Sequence, residues 1–147
     1  MSQSLSHLNK LYADAFRQLE PKRAVPAIEV RFYPYAGLHH TIRLRSGRVY
    51  VRISDIFKQA PVAVHRALAF ILVARLLARR TPDVHDRTYR DYAYTPQILR
   101  ASDIARRRRG RKVISTARGR VYDLDKMFAR LNRRHFDGEL EKPTLTW

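Results

Sequence analysis

HTIRLRSGRVYVRI, residues 40–53, decides the fold. His40, Ile42 and Leu44 alternate with Thr41, Arg43 and Arg45; after Ser46-Gly47, Val49, Val51 and Ile53 alternate with Arg48, Tyr50 and Arg52. A period of two marks strands with one buried and one wet face, and a two-residue break containing glycine joins them as a hairpin. With Ser46-Gly47 as the whole turn, Leu44 opposes Val49 and Ile42 opposes Val51 on the buried side. On the wet side Arg45 then opposes Arg48, Arg43 opposes Tyr50 and Thr41 opposes Arg52. Upstream, Ile28, Val30 and Phe32 alternate with Glu29 and Arg31 in a further half-buried strand, followed by a turn over Tyr33 to Gly37.

The flanks of this strand region are helical. Leu5, Leu8, Leu11, Tyr12, Ala15, Phe16 and Leu19 recur at three- and four-residue steps, with Ser4 or Ser6 as a cap and Pro21 beyond the end. Downstream, Pro61 suits the first turn of a helix, and VAVHRALAFILVARLLARR (62–80) is apolar nearly all round, which predicts the central buried helix. Beyond Thr81-Pro82 comes a stretch with Tyr89, Tyr92 and Tyr94, and Thr95-Pro96 reads as the cap and first position of a helix reaching about Arg109. Val121, Leu124, Met127, Phe128, Leu131 and Phe136 form a last helical stripe, followed by an Asp137-Gly138 turn and a short strand from Thr144 to Trp147. The expected class is α+β: a helix, a small antiparallel sheet with a hairpin, a buried central helix, then further helices and a short C-terminal strand. Three segments are expected: an α+β unit over 1–82, a Tyr-rich then Arg-rich helical linker over 83–120, and an incomplete unit over 121–147.

Composition narrows function. With 147 residues and 45% hydrophobic content the chain can bury one real core and a small appendage. Lacking cysteine, it has no disulfide, no thiolate zinc site and no thiol nucleophile. Its start, MSQSLSHLNK, has no apolar signal stretch, and the longest apolar run, Ala67 to Ala74, is far below the roughly 20 residues of a bilayer span. A cytoplasmic chain with no membrane partner is expected.

Thirty Lys and Arg against 13 Asp and Glu leave a formal charge of +17, which favours polyanionic partners. The charge is uneven. Between Arg100 and Arg120 nine cations face one acid, Asp103, whereas from Val121 onward basic and acidic residues cancel. Arg106, Arg107, Arg108, Arg109, Arg111, Lys112, Arg118 and Arg120 are therefore one candidate nucleic-acid surface. The outer hairpin face, with Arg43, Arg45, Arg48, Tyr50 and Arg52, is the other: directly opposed like charges cost stability unless an anion relieves them, and Tyr50 adds a ring for base stacking. A solvated linker and a solvated sheet face are the plain alternatives.

Metal chemistry has little to stand on. His65 has no second histidine on its helix, so one face cannot supply two ligands. His39 and His40, adjacent on a strand, point to opposite faces, so His40 reads as a packed histidine. His7, His85 and His135 are isolated. Neither a catalytic nor a metal residue is assigned.

The ends of the chain echo each other: LNKLYADAF (8–16) resembles LDKMFARLN (124–132), and a proline-led strand follows each, PAIEVRF (26–32) and PTLTW (143–147). Chance similarity of two amphipathic helices is the alternative to duplication. VYDLDKMFARLNRRHFDGELEKPTLTW (121–147) resembles the opening of SprT-like domains, with Leu131-Asn132, Phe136, Gly138, Leu140, Pro143 and Trp147 in the family's order. In that family, zinc peptidase chemistry lies further on, in an H-E-x-x-H helix and a later third ligand. The resemblance implies that residues 5–80 are a degenerate zincin-like copy without metal, that this chain is the front of something longer, and that zinc is expected only beyond residue 147. It also implies a setting on DNA, since the family includes proteases acting on DNA-bound protein. Three functions stay open: a non-catalytic nucleic-acid-binding portion of a SprT-like protein, a zinc peptidase with its site beyond this chain, and a structural fragment that pairs with a protein partner or a second copy through its C-terminal segment.

Overall fold

A computed structural model of the chain describes residues 4–111, 117–143 and 145, which divide into two units, Met1–Gly110 and Arg111–Trp147. The first unit opens with α1 (Leu5–Leu19), capped by Ser4, whose hydroxyl accepts a hydrogen bond from the His7 amide at 3.3 Å. Its buried residues, Leu8, Leu11, Tyr12, Ala15 and Phe16, come from the expected stripe. Strands β1 (Ala27–Tyr33), β2 (His40–Arg45) and β3 (Arg48–Ser54) follow, then helices α2 (Val62–Leu76), α3 (Asp83–Ala93) and α4 (Pro96–Arg109). The class is α+β.

β2 and β3 pair antiparallel in the expected register, Leu44 opposite Val49 and Ile42 opposite Val51. Ser46 (φ 48°) and Gly47 (φ 74°) both adopt the left-handed conformation that a type I′ turn needs, and its twist matches that of the paired strands. The sheet as a whole corrects one expectation. It is mixed rather than antiparallel, because β1 lies on the far side of β3 and runs parallel to it, in the order β1-β3-β2. Parallel and antiparallel strands share the same pleat, so alternation in the sequence does not distinguish them. Val49, Val51 and Ile53 are each at most 1% exposed, so the most apolar strand takes the centre.

One face of the sheet is covered: α1 packs on β1 and α2, and α2 packs on β2 and α3. Leu68, Leu72 and Val73 of α2 are essentially fully buried. The helix stops at Leu76, before the end of its apolar sequence, because Ala78 turns left-handed (φ 52°) and the Ala78 and Arg79 amides close back on the Arg75 and Ala74 carbonyls. This is a Schellman ending with alanine where glycine is favoured.

The segment expected as a helical linker is divided differently. Residues 83–110 belong to the first unit, since Tyr89 and Tyr92, three apart on one face of α3, cover Phe57 at ring centroid distances of 5.7 and 5.4 Å. In the second unit, α5 (Leu124–Phe136) is capped by the Asp123 carboxylate and ends at left-handed Asp137 and Gly138. The Asn132 amide donates to the Leu140 carbonyl (2.9 Å) and accepts from the Leu140 amide (3.1 Å), fastening the chain that leaves the helix. The strand expected over 144–147 falls mostly on residues outside the described set. Among the described residues no helix is long and apolar enough to cross a membrane.

Two substitutions should act with opposite sign. Leu72→Asp buries an unpaired carboxylate at a site 1% exposed, a cost of several kcal/mol against a stability of about 5–15 kcal/mol, and should abolish cooperative melting. Ala78→Gly relieves a left-handed alanine and should raise stability by about 0.5–1 kcal/mol in urea unfolding.

Candidate nucleic-acid interface

The uncovered face of the sheet is set by register. Three rungs cross it: Ala27, Arg48 and Arg45; Glu29, Tyr50 and Arg43; Arg31, Arg52 and Thr41. Tyr33 follows at the end of β1, beside Ser54. These outward positions hold five arginines and one carboxylate, Glu29, which Arg31 and Arg48 approach at 2.5 and 3.8 Å. Arg45 opposite Arg48 and Arg31 opposite Arg52 are like-charge neighbours, an arrangement that weakens a sheet standing alone.

Aromatic rings border these cations. The Arg52 guanidinium lies 5.2 Å from the Tyr33 ring centre, Tyr33 leans on Tyr35 at 4.6 Å, and Tyr35 meets the edge of His39 at 4.9 Å. A hydrogen bond of 3.2 Å joins the Tyr35 and Thr41 hydroxyls and holds the corner in place. Together with Tyr50 and Arg43 these groups line an open concavity of about 510 Å³.

The arginine run of α4 ends near the same corner. Ile98, Ser102 and Ala105 are the buried face of α4, and Arg109 continues that face one turn on. Its guanidinium accordingly donates to the Asp55 carboxylate at 2.8 Å and the Tyr35 carbonyl at 3.4 Å. Arg109 thus fastens the helix end to the margin of the sheet, and Arg106 pairs with Asp103 at 3.6 Å, while Arg107 and Arg108 are exposed. Of the remaining expected cations, Arg111, Arg118 and Arg120 are exposed in the second unit, where the backbones of Arg118 and Asp123 pair in an isolated antiparallel β-bridge, and Lys112 lies outside the described residues. The hairpin residues Arg43, Arg45, Arg48, Tyr50 and Arg52 share one face, as their alternation required.

Sequence reasoning missed Arg31, Tyr33, Tyr35 and His39. The signal was there: Arg31 stands on the outer face of the alternation, and Tyr33 and Tyr35 continue that period of two, but the stretch from Tyr33 to Gly37 reads as a turn.

His39 and His40 separate as adjacent strand residues must. His39 is exposed at the aromatic corner, whereas the His40 ring turns inward. His40 Nδ1 accepts from the Ser54 amide at 3.2 Å, so its proton is on Nε2, which donates to the Tyr89 hydroxyl at 3.1 Å. Burial, followed by the charges of His39, His65 and Arg75, pushes its pKa down to about 4. Burial also lowers His65, which meets the edge of Phe32 at 6.1 Å, and His85, stacked on Phe70 at 4.1 Å. Among the described residues no group of three or more His, Asp and Glu converges as a metal ion requires.

No protein-family model matches the chain, and no curated protein or solved structure matches it.

Because His40 resists protonation only while folded, acid should destabilise the first unit. The unfolded chain takes up this proton below about pH 6.5, so stability should hold above that pH and fall by about 3 kcal/mol towards pH 4. Urea unfolding at pH 7 and 4 measures the loss. His40→Gln should be less stable at pH 7 and should show a shallower dependence on pH.

Proposed function

We propose that the uncovered sheet face, continued by the end of α4, binds nucleic acid chiefly through phosphates. The observation that carries this reading is the convergence of five arginines on one rigid face with a single carboxylate among them. Two like-charge pairs held directly opposite each other cost stability in the free protein, and a polyanion lying across them removes that cost. No side-chain pattern here resembles a base-reading module, so affinity depends little on base order.

The chain is further proposed to be a non-catalytic portion of a SprT-like protein, with any H-E-x-x-H helix and its zinc outside residues 1–147. What supports this is the resemblance over 121–147, where Leu131-Asn132, Phe136, Gly138, Leu140, Pro143 and Trp147 stand in the family's order. A second reading, docking of a protein partner or a second copy on the second unit, is favoured by the exposure of Val121, Leu131 and Phe136 at 80%, 48% and 52%.

The test is binding to labelled oligonucleotides over a salt series. Replacing Arg43, Arg45 and Arg48 by Gln, which removes exposed cations and the Arg45–Arg48 repulsion, should leave melting unchanged or higher. It should weaken binding and flatten the slope of log affinity against log salt by about two units on a single strand. Arg107 and Arg108 to Gln should flatten it by about one further unit. A triple variant with the parent's affinity and slope makes the sheet face a solvated surface. A parent that binds no oligonucleotide at low salt removes this reading and leaves the partner-docking one.

A further inference from the structure

We infer that the sheet face is built for single-stranded nucleic acid, with unpaired bases stacked on Tyr50 and Tyr33 while phosphates follow the arginines. The inference rests on the proposed function and specifies its ligand. An aromatic ring can engage the flat face of a base only where that face is free, which a duplex denies and a single strand offers. Tyr50 sits at the middle of the central rung with 38% of its surface exposed, and Tyr33 is 43% exposed at the end of β1. Neither is needed to complete the core, which lies on the opposite face of the pleat.

The rungs alternate chemistry along the strands. Arg48 with Arg45 comes first, Tyr50 with Arg43 next, then Arg52 with Arg31, and last the Tyr33–Tyr35–His39 corner. Successive rungs are two residues apart, about 7 Å, so an extended strand running along β3 meets a cation, a ring, a cation and a ring in turn. The corner is preorganised: Thr41 ties Tyr35, Tyr35 supports Tyr33, and Arg109 holds the Tyr35 carbonyl, so little side-chain freedom is lost on binding. The cations alone would suit any polyanion, but the interleaved exposed rings specify bases.

The experiment compares four probes of equal length: a deoxyuridine oligomer, a uridine oligomer, an abasic deoxyribose-phosphate oligomer, and a duplex. Each is titrated with the parent chain, with Tyr50→Leu and with Tyr33→Leu, all checked for unchanged melting. The base-bearing single strands should bind at least about fivefold more tightly than the abasic strand. Each tyrosine substitution should cost between about fivefold and a hundredfold on the base-bearing strands and nothing on the abasic one, with the salt slope unchanged. A preference for the uridine or the deoxyuridine strand identifies RNA or DNA as the source, and either supports the inference. Equal binding of abasic and base-bearing strands, or a duplex bound as tightly as a single strand, overturns it while leaving phosphate binding intact. Absence of all binding at low salt overturns both.

Discussion

The pleat of β3 is the constraint on which the first unit depends. With a partner on each side, β3 has its backbone hydrogen bonds satisfied in both directions, so its side chains have only two places to go. Val49, Val51 and Ile53 go beneath the sheet, where α1 and α2 meet it, and the alternate residues must then stand on the open side. Arg48, Tyr50 and Arg52 are exposed because their neighbours are buried. A one-residue slip would bury three polar side chains and expose three apolar ones, so burial of the core and display of the cations are enforced together.

α3 and α4 extend this arrangement by touching what the hairpin leaves at its end. Phe57, fully buried, receives Tyr89 and Tyr92 from α3, and His40 joins the same cluster at 4.8 Å from Phe57, with a hydrogen bond to Tyr89. A histidine enclosed on these terms is a neutral packing element whose ring nitrogens are both occupied. α4 then runs so that its fourth inward position, Arg109, meets Asp55 beside the sheet. The charged residue at the end of the inward stripe thereby links the arginine-rich helix end to the aromatic corner.

The second unit is bound together by different means. Its helix buries Asn132 but leaves Leu131 and Phe136 exposed, so capping and the Asn132–Leu140 pair hold its local shape. In the first unit α1 uses an asparagine in a comparable way: Asn9 Oδ1 accepts from the Val30 amide at 3.1 Å and ties the helix to β1. The bond in the first unit reaches a strand 21 residues along the chain, whereas the pair in the second fastens the segment that directly follows its own helix.

The sequence by itself determined every element whose identity rests on local periodicity: the stripe of α1, the alternation of β1 to β3, the Ser46-Gly47 turn, the buried α2, and the common face of Arg43, Arg45, Arg48, Tyr50 and Arg52. Those features follow from the pleat and the helical repeat, which act over a few residues. What sequence left open was long-range. The side of β3 that β1 joins, and hence the Arg31–Arg52 neighbours, depends on how the chain crosses the end of the sheet. The inclusion of α3 and α4 in the first unit depends on Phe57 offering a surface to Tyr89 and Tyr92. Arg109 was legible only as one cation in a run, because its separate role requires Asp55, 54 residues away in sequence, to stand within hydrogen-bonding distance. Alternation fixes which way a side chain points, but which distant side chain it meets is decided by packing of the whole unit.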